Sequence, residues 1–127
     1  MQSSNPVLLV EDDPVNVMAV GKAFRNLEIA QSLVHARNGE EAISLYRENV
    51  YDVVILDLTI PGGMGGKEAI KNLLEIDPNV KAIVSSGYST DPLMSEFEQY
   101  GFKGVMAKPY QIEELSRMVS KIIGMPP

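Results

Sequence analysis

Four short apolar runs in this sequence each stop at a polar residue able to do chemistry. Val7–Val10 stops at Glu11-Asp12-Asp13 and Val53–Leu56 stops at Asp57. Ala82–Val84 stops at Ser85-Ser86-Gly87, and Gly104–Ala107 stops at Lys108-Pro109. If these runs are parallel strands, their polar ends collect at one edge of a sheet, where open α/β sheets bind ligands. Three carboxylates brought together are costly to ionise together. A hard divalent cation removes the conflict, and Mg²⁺ takes oxygen ligands, keeps waters and is shared with phosphate oxygens. A lysine supplies a point charge for a phosphoryl group, and a serine hydroxyl can donate a hydrogen bond to it. Aspartate is a competent covalent acceptor. Phosphoryl transfer needs in-line positioning and neutralisation of oxygen charge. The set therefore suits Mg²⁺-assisted phosphoryl chemistry.

The elements that must position these residues are legible from the pattern. Runs apolar on both faces suit strands buried on both sides. Leu33-Val34 is a weaker strand candidate, ending near His35. Between the runs lie helical stretches. Asp13-Pro14 reads as a cap followed by proline at the first helical position, opening a helix through Phe24 to about Leu27. Asn38 to about Glu48 carries Ala42, Ile43, Leu45 and Tyr46 at helical spacing. Lys67 to about Ile76 carries Ile70, Leu73 and Leu74, and Asp77-Pro78 ends it. Thr90-Asp91-Pro92 opens another helix, with Leu93, Met94, Phe97 and Tyr100 on one face and Gly101 as its cap. Ile112, Leu115, Val119 and Ile122 mark the last. Strand and helix alternate five times, which predicts an α/β fold: a parallel sheet with helices on both faces. Four of the ten glycines sit in Pro61-Gly62-Gly63-Met64-Gly65-Gly66, which reads as a flexible loop.

Composition narrows the function. The 127 residues suit one domain, 1–127 with a core of about 6–123, and 45% hydrophobic content supplies that core. The balance of 17 acidic against 11 basic residues, net −6, argues against nucleic acid as a direct partner. Cysteine is absent, which removes disulfides and thiolate chemistry. The N-terminus is short and polar, and no apolar run approaches the roughly 18 residues that span a membrane. A cytoplasmic protein with no direct membrane contact is expected.

The residues resemble the receiver family of two-component signalling. The matches are the acidic pair in VLLVEDDPVN, Asp57 in VVILDLTIP, Ser86 in VSSGYS and Lys108-Pro109 in AKPY. Each motif alone is weak; the four together, in order and each at a strand end, are specific. The resemblance implies a single-domain (βα)5, flavodoxin-like sandwich with sheet order 2-1-3-4-5. It implies Asp57 as phosphoacceptor, with Glu11, Asp12, Asp57 and the carbonyl of Thr59 holding Mg²⁺. Lys108 would contact a phosphoryl oxygen, its bond to Pro109 being cis, and Ser86, followed by the small Gly87, would report the phosphoryl group. The implied partners are a sensor histidine kinase or a histidine phosphotransfer domain, and a homodimer through the face of the fourth helix, fifth strand and fifth helix. Such a protein catalyses its own phosphorylation and dephosphorylation and is not otherwise an enzyme.

Three departures stand out. Val105 occupies the position three before the lysine where the family often has an aromatic switch. The loop after Pro61 is one residue longer and richer in glycine than the common form. With SGYS and KPY, it looks most like the receivers of hybrid sensor kinases. Tyr88, two residues past Ser86, is expected to shield a phosphorylated Asp57 from water.

Simpler readings compete at several positions. Asp13 reads as a helix cap only. Glu11 and Asp12 alone could be charges favourable to a helix N-terminus, Asp57 a strand-ending turn residue, Ser86-Gly87 a turn pair, and His35, the single histidine, a strand-end or surface residue. Two other functional classes share the architecture. One is a phosphorylation-independent interaction module, for which Val105 speaks. The other is an enzyme such as an aspartate-nucleophile phosphatase or a flavin protein; the phosphatase would want aspartate where Thr59 stands, and the chain has no tryptophan.

Overall fold

A computed structural model describes residues 5–26, 32–87, 91–109 and 111–125. Five parallel strands, β1 (Val7–Val10), β2 (Leu33–Ala36), β3 (Val53–Asp57), β4 (Ala82–Ser86) and β5 (Gly104–Ala107), form one sheet in the order 2-1-3-4-5. The helices are α1 (Pro14–Asn26), α2 (Gly39–Glu48), α3 (Gly66–Ile76), α4 (Pro92–Ser95) and α5 (Ile112–Ile123). This is the expected doubly wound sandwich.

The continuous apolar runs are explained by two separate cores. Successive strand residues point to opposite faces. Val7, Leu9, Val53, Ile55, Ile83 and Met106 pack under Val20, Ala23 and Phe24 of α1 and Leu115, Val119 and Ile122 of α5. Leu8, Val10, Val54, Leu56, Ala82 and Val84 pack under α2, α3 and α4. Each fully buried aliphatic side chain contributes about 2 kcal/mol. β2 is an edge strand and only partly buried, which is why its sequence signal is weak.

Local chemistry sets the helix ends. The Val15 N–H donates to Asp13 Oδ1 at 2.9 Å, ahead of Pro14. The Glu41 N–H donates to Asn38 Oδ1 at 2.9 Å, and the Leu93 N–H to Asp91 Oδ1 at 2.9 Å. Lys81 Nζ donates to the carbonyls of Ile123 (2.9 Å) and Met125 (2.6 Å), closing the end of α5 on the start of β4.

Two expectations change. The helix expected from residue 91 to Gly101 is broken: α4 stops at Ser95 and a 3₁₀ turn, Phe97–Tyr100, follows. Ser95 Oγ donates to the Pro92 carbonyl at 3.0 Å, and Glu96, at φ −113 and ψ 26, leaves the helical region. A hydroxyl that competes for a turn carbonyl weakens a helix. Gly101, at φ 101, does supply the left-handed cap. Nor does backbone freedom alone account for the glycine-rich loop. A Cβ on Gly65 would lie 2.4 Å from the Leu58 carbonyl, and one on Gly66 would lie 2.9 Å from that of Asp57. Those glycines permit close backbone approach; only Gly62 (φ 77) needs glycine for its dihedral. Tyr88 and Thr90 lie outside the described residues, as does Leu27, the expected end of the first helix.

Candidate functional site

The sheet delivers its polar strand ends to one cleft. Glu11 follows β1 and is buried; its N–H donates to the Ala36 carbonyl at 3.0 Å, which ties it to β2. Asp57 ends β3 and is 8% exposed. Asp12 is exposed, and Asp13 faces away to cap α1 while its N–H donates to Glu11 Oε2 at 3.3 Å. Oxygens of Glu11, Asp12 and Asp57 all lie within 4.8 Å of one another. Lys108 reaches over from the end of β5: Nζ lies 2.6 Å from Glu11 Oε1 and 3.3 Å from Asp57 Oδ2.

The remaining residues border this cluster. The Lys108 N–H donates to the Ser86 carbonyl at 2.8 Å, and the Lys108–Pro109 bond is cis. Ser85 and Ser86 are both buried; Ser85 pairs with Asp57 in register, and its carbonyl accepts from the Leu58 N–H at 2.8 Å. Thr59 stands exposed two residues beyond Asp57, where the glycine-rich loop leaves the sheet. Val105 is half-buried against the α2–α4 side of the sheet. His35 is exposed, as expected of an edge strand, yet its Nε2 meets the Glu11 carbonyl at 2.7 Å. That contact had no signal in the sequence, because it depends on the register of β2 beside β1.

Electrostatics separates the two buried carboxylates. Burial raises the Asp57 pKa, the hydrogen bond and charge of Glu11 raise it further, and Lys108 offsets this only in part, leaving it at about 6. Burial also works against Glu11, but its hydrogen bonds to Lys108 and Asp57 and the attraction of Lys108 outweigh burial and hold it below the usual range. Lys108 is raised: burial opposes its charge, and Glu11 and Asp57 overcome that. Three carboxylates against one ammonium leave excess negative charge in a half-enclosed, oxygen-only donor set. A hard divalent ion fits such a set, whereas softer metals prefer nitrogen or sulfur.

A doubly wound sheet of this order, with three clustered carboxylates at the carboxyl edge of β1 and β3, defines a flavodoxin-like α/β protein with an acidic cleft. Residues 7–120 match the family described as the response regulator receiver domain, and the chain belongs to that family. Sporulation initiation phosphotransferase F of Bacillus subtilis is 30% identical over 119 residues, 94% of each chain. The response regulator GacA of Pseudomonas aeruginosa is 31% identical over 116 residues, 91% of this chain. This chain spans 54% of GacA's length. Among solved structures, the receiver domain of the sensor histidine kinase PA1611 from Pseudomonas aeruginosa superposes with a TM-score of 0.85 at 24% identity. The match covers 97% of this chain and 100% of that one, which carries a magnesium ion in its active-site cleft. Among the described residues no helix is long and apolar enough to cross a membrane.

Proposed function

We propose that this chain is a phosphoacceptor that takes a phosphoryl group from a partner's phosphohistidine onto Asp57. The observation that carries the reading is the placement of Lys108 Nζ, 3.3 Å from Asp57 Oδ2, inside the three-carboxylate cluster. An Asp57 oxygen attacks phosphorus; the new P–O bond forms as the P–N bond breaks, and the imidazole leaves with the electron pair. Attack needs ionised Asp57, which with a pKa of about 6 is mostly ionised above neutrality. Lys108 offsets charge on the phosphoryl oxygens, and the Ser86 hydroxyl contacts the group once it is attached. Glu11, Asp12, Asp57 and the Thr59 carbonyl would hold Mg²⁺, which would supply further charge neutralisation.

The surroundings fit a helical donor. Val15 and Met18 on α1 are 70% and 73% exposed, and Ile112 opens α5 at 41%. These apolar side chains flank the acidic edge and suit the helices of a sensor histidine kinase or histidine phosphotransfer domain. The glycine-rich loop favours a donor of the hybrid-kinase type, working in the cytoplasm. Output follows as a population shift of the face formed by α4, β5 and α5, where a partner or second copy docks. Val105 provides no ring at the usual switch position, so the shift runs through Ser86 and α4.

Incubation with Mg²⁺ and acetyl phosphate, read by intact mass spectrometry beside Asp57→Asn, tests this. One Mg²⁺-dependent phosphate adduct, lost in the variant, is expected. No adduct together with no Mg²⁺ binding would overturn the reading in favour of a phosphorylation-independent interaction module.

A further inference from the structure

The segment that follows Asp57 is clamped to α2 as well as to the sheet. Its first residues are held by the Leu58 N–H on the Ser85 carbonyl (2.8 Å) and the Gly66 N–H on the Leu58 carbonyl (3.1 Å). Its far side is held at Met64. The Gly39 N–H donates to the Met64 carbonyl at 2.7 Å, and the Met64 N–H donates to Glu40 Oε1 at 2.7 Å. Both backbone groups of Met64 are thus taken by the first two residues of α2. The approach is close: a Cβ on Gly39 would lie 2.9 Å from the Met64 carbonyl oxygen.

α2 is itself tied to the acidic cleft. Its cap, Asn38, lies two residues past Ala36, whose carbonyl accepts from the Glu11 N–H. A short path therefore links the Glu11 backbone, through β2 and the first turn of α2, to the loop that carries Thr59. Only one member of this path is a side chain acting as acceptor for the loop, and that is Glu40. The carboxylate is charged and its donor a backbone N–H, the stronger kind of hydrogen bond.

We infer that Glu40 is a positioning residue: by holding the Met64 N–H, it fixes the loop after Asp57 against α2 and thereby sets the Mg²⁺ site on the Thr59 side. The inference rests on the phosphoacceptor reading. Glu40 touches neither the carboxylate cluster nor a phosphoryl group, and acts through the loop backbone.

The test compares Glu40→Ala and Glu40→Gln with the unaltered chain. Mg²⁺ dissociation constants are measured by calorimetry without phosphodonor, and Met64 amide hydrogen exchange reads the clamp directly. Glu40→Ala should weaken Mg²⁺ binding about fivefold, the worth of roughly one hydrogen bond, and speed Met64 exchange. Glu40→Gln, which keeps the acceptor oxygen, should restore most of both. Unchanged Mg²⁺ affinity in Glu40→Ala would overturn the inference. So would a Gln variant as impaired as the Ala variant, which would make charge near the α2 N-terminus the cause. Failure of the unaltered chain to bind Mg²⁺ or accept a phosphoryl group from acetyl phosphate would instead overturn the functional reading on which the inference rests.

Discussion

Asp57 makes the stability of the metal-free protein depend on pH in an unusual direction. Its folded-state pKa lies at about 6 because of burial and then Glu11, against an ordinary aspartate value of 3.8. A raised pKa means the folded state holds the proton more tightly than the unfolded chain does. The corresponding stability is fully present below about pH 4 and is lost as pH rises through about 6. Neither neighbour cancels this between pH 5 and pH 8. The lowered pKa of Glu11 acts only below its usual range, and the raised pKa of Lys108 only in alkali. Asp57→Asn removes the titrating group. After discounting for solvent in the open cleft, the gain near pH 8 is about 1 kcal/mol, or about 4 °C in Tm for a domain of this size. Near pH 5 about half of that gain should remain, and the variant and parent should nearly coincide only below about pH 4. Mg²⁺ reverses the sign, since it binds the ionised carboxylate. Its apparent affinity for the parent should fall about tenfold between pH 8 and pH 5, as a pKa one unit above the lower pH requires. Calorimetric unfolding scans at both pH values, with and without Mg²⁺, supply the four comparisons. An Asn variant no more stable than the parent near pH 8 would refute the reasoning.

Further outcomes follow from individual contacts. Lys108→Ala leaves Glu11, whose side chain is 3% exposed, without its cation, and should cost about 2–3 kcal/mol in chelator, partly restored by Mg²⁺; an unchanged urea midpoint would contradict this. Gly65→Ala forces a Cβ against the Leu58 carbonyl and should lose at least about 2 kcal/mol by urea denaturation. Tyr46→Phe deletes the 2.7 Å bond from Tyr46 Oη to Asp77 Oδ2 and should cost about 1–2 kcal/mol. In the parent, burial and then Asp77 raise the Tyr46 pKa and burial raises that of Tyr51, so at least these two tyrosines should titrate late in alkali, followed by ultraviolet absorbance.

The parts of the fold that were legible in the sequence are those fixed by solvent exclusion. β1, β3 and β4 read as strands because helices cover both their faces, and parallel pairing collects their polar ends at one edge. The gathering of Glu11, Asp12, Asp57 and Lys108 follows from that topology alone. What the sequence hid depends on competition between near neighbours in space. The break after Ser95 turns on one hydroxyl choosing a turn carbonyl. The glycines of the 61–66 segment look alike in sequence, yet Gly65 and Gly66 serve close approach and Gly62 a left-handed dihedral. The hold of Glu40 on Met64 joins residues 24 apart and carries no periodic signature.

The two apolar layers, divided by the sheet backbone, have a consequence for how such a protein can diverge. α1 and α5 rest on one interior and α2, α3 and α4 on the other, and among the described residues no side chain is shared between them. Losses from Leu73→Ala in one and Leu115→Ala in the other should therefore add to within about 0.5 kcal/mol. Substitutions beneath α1 and α5 can therefore be absorbed without disturbing the interior beneath α2, α3 and α4.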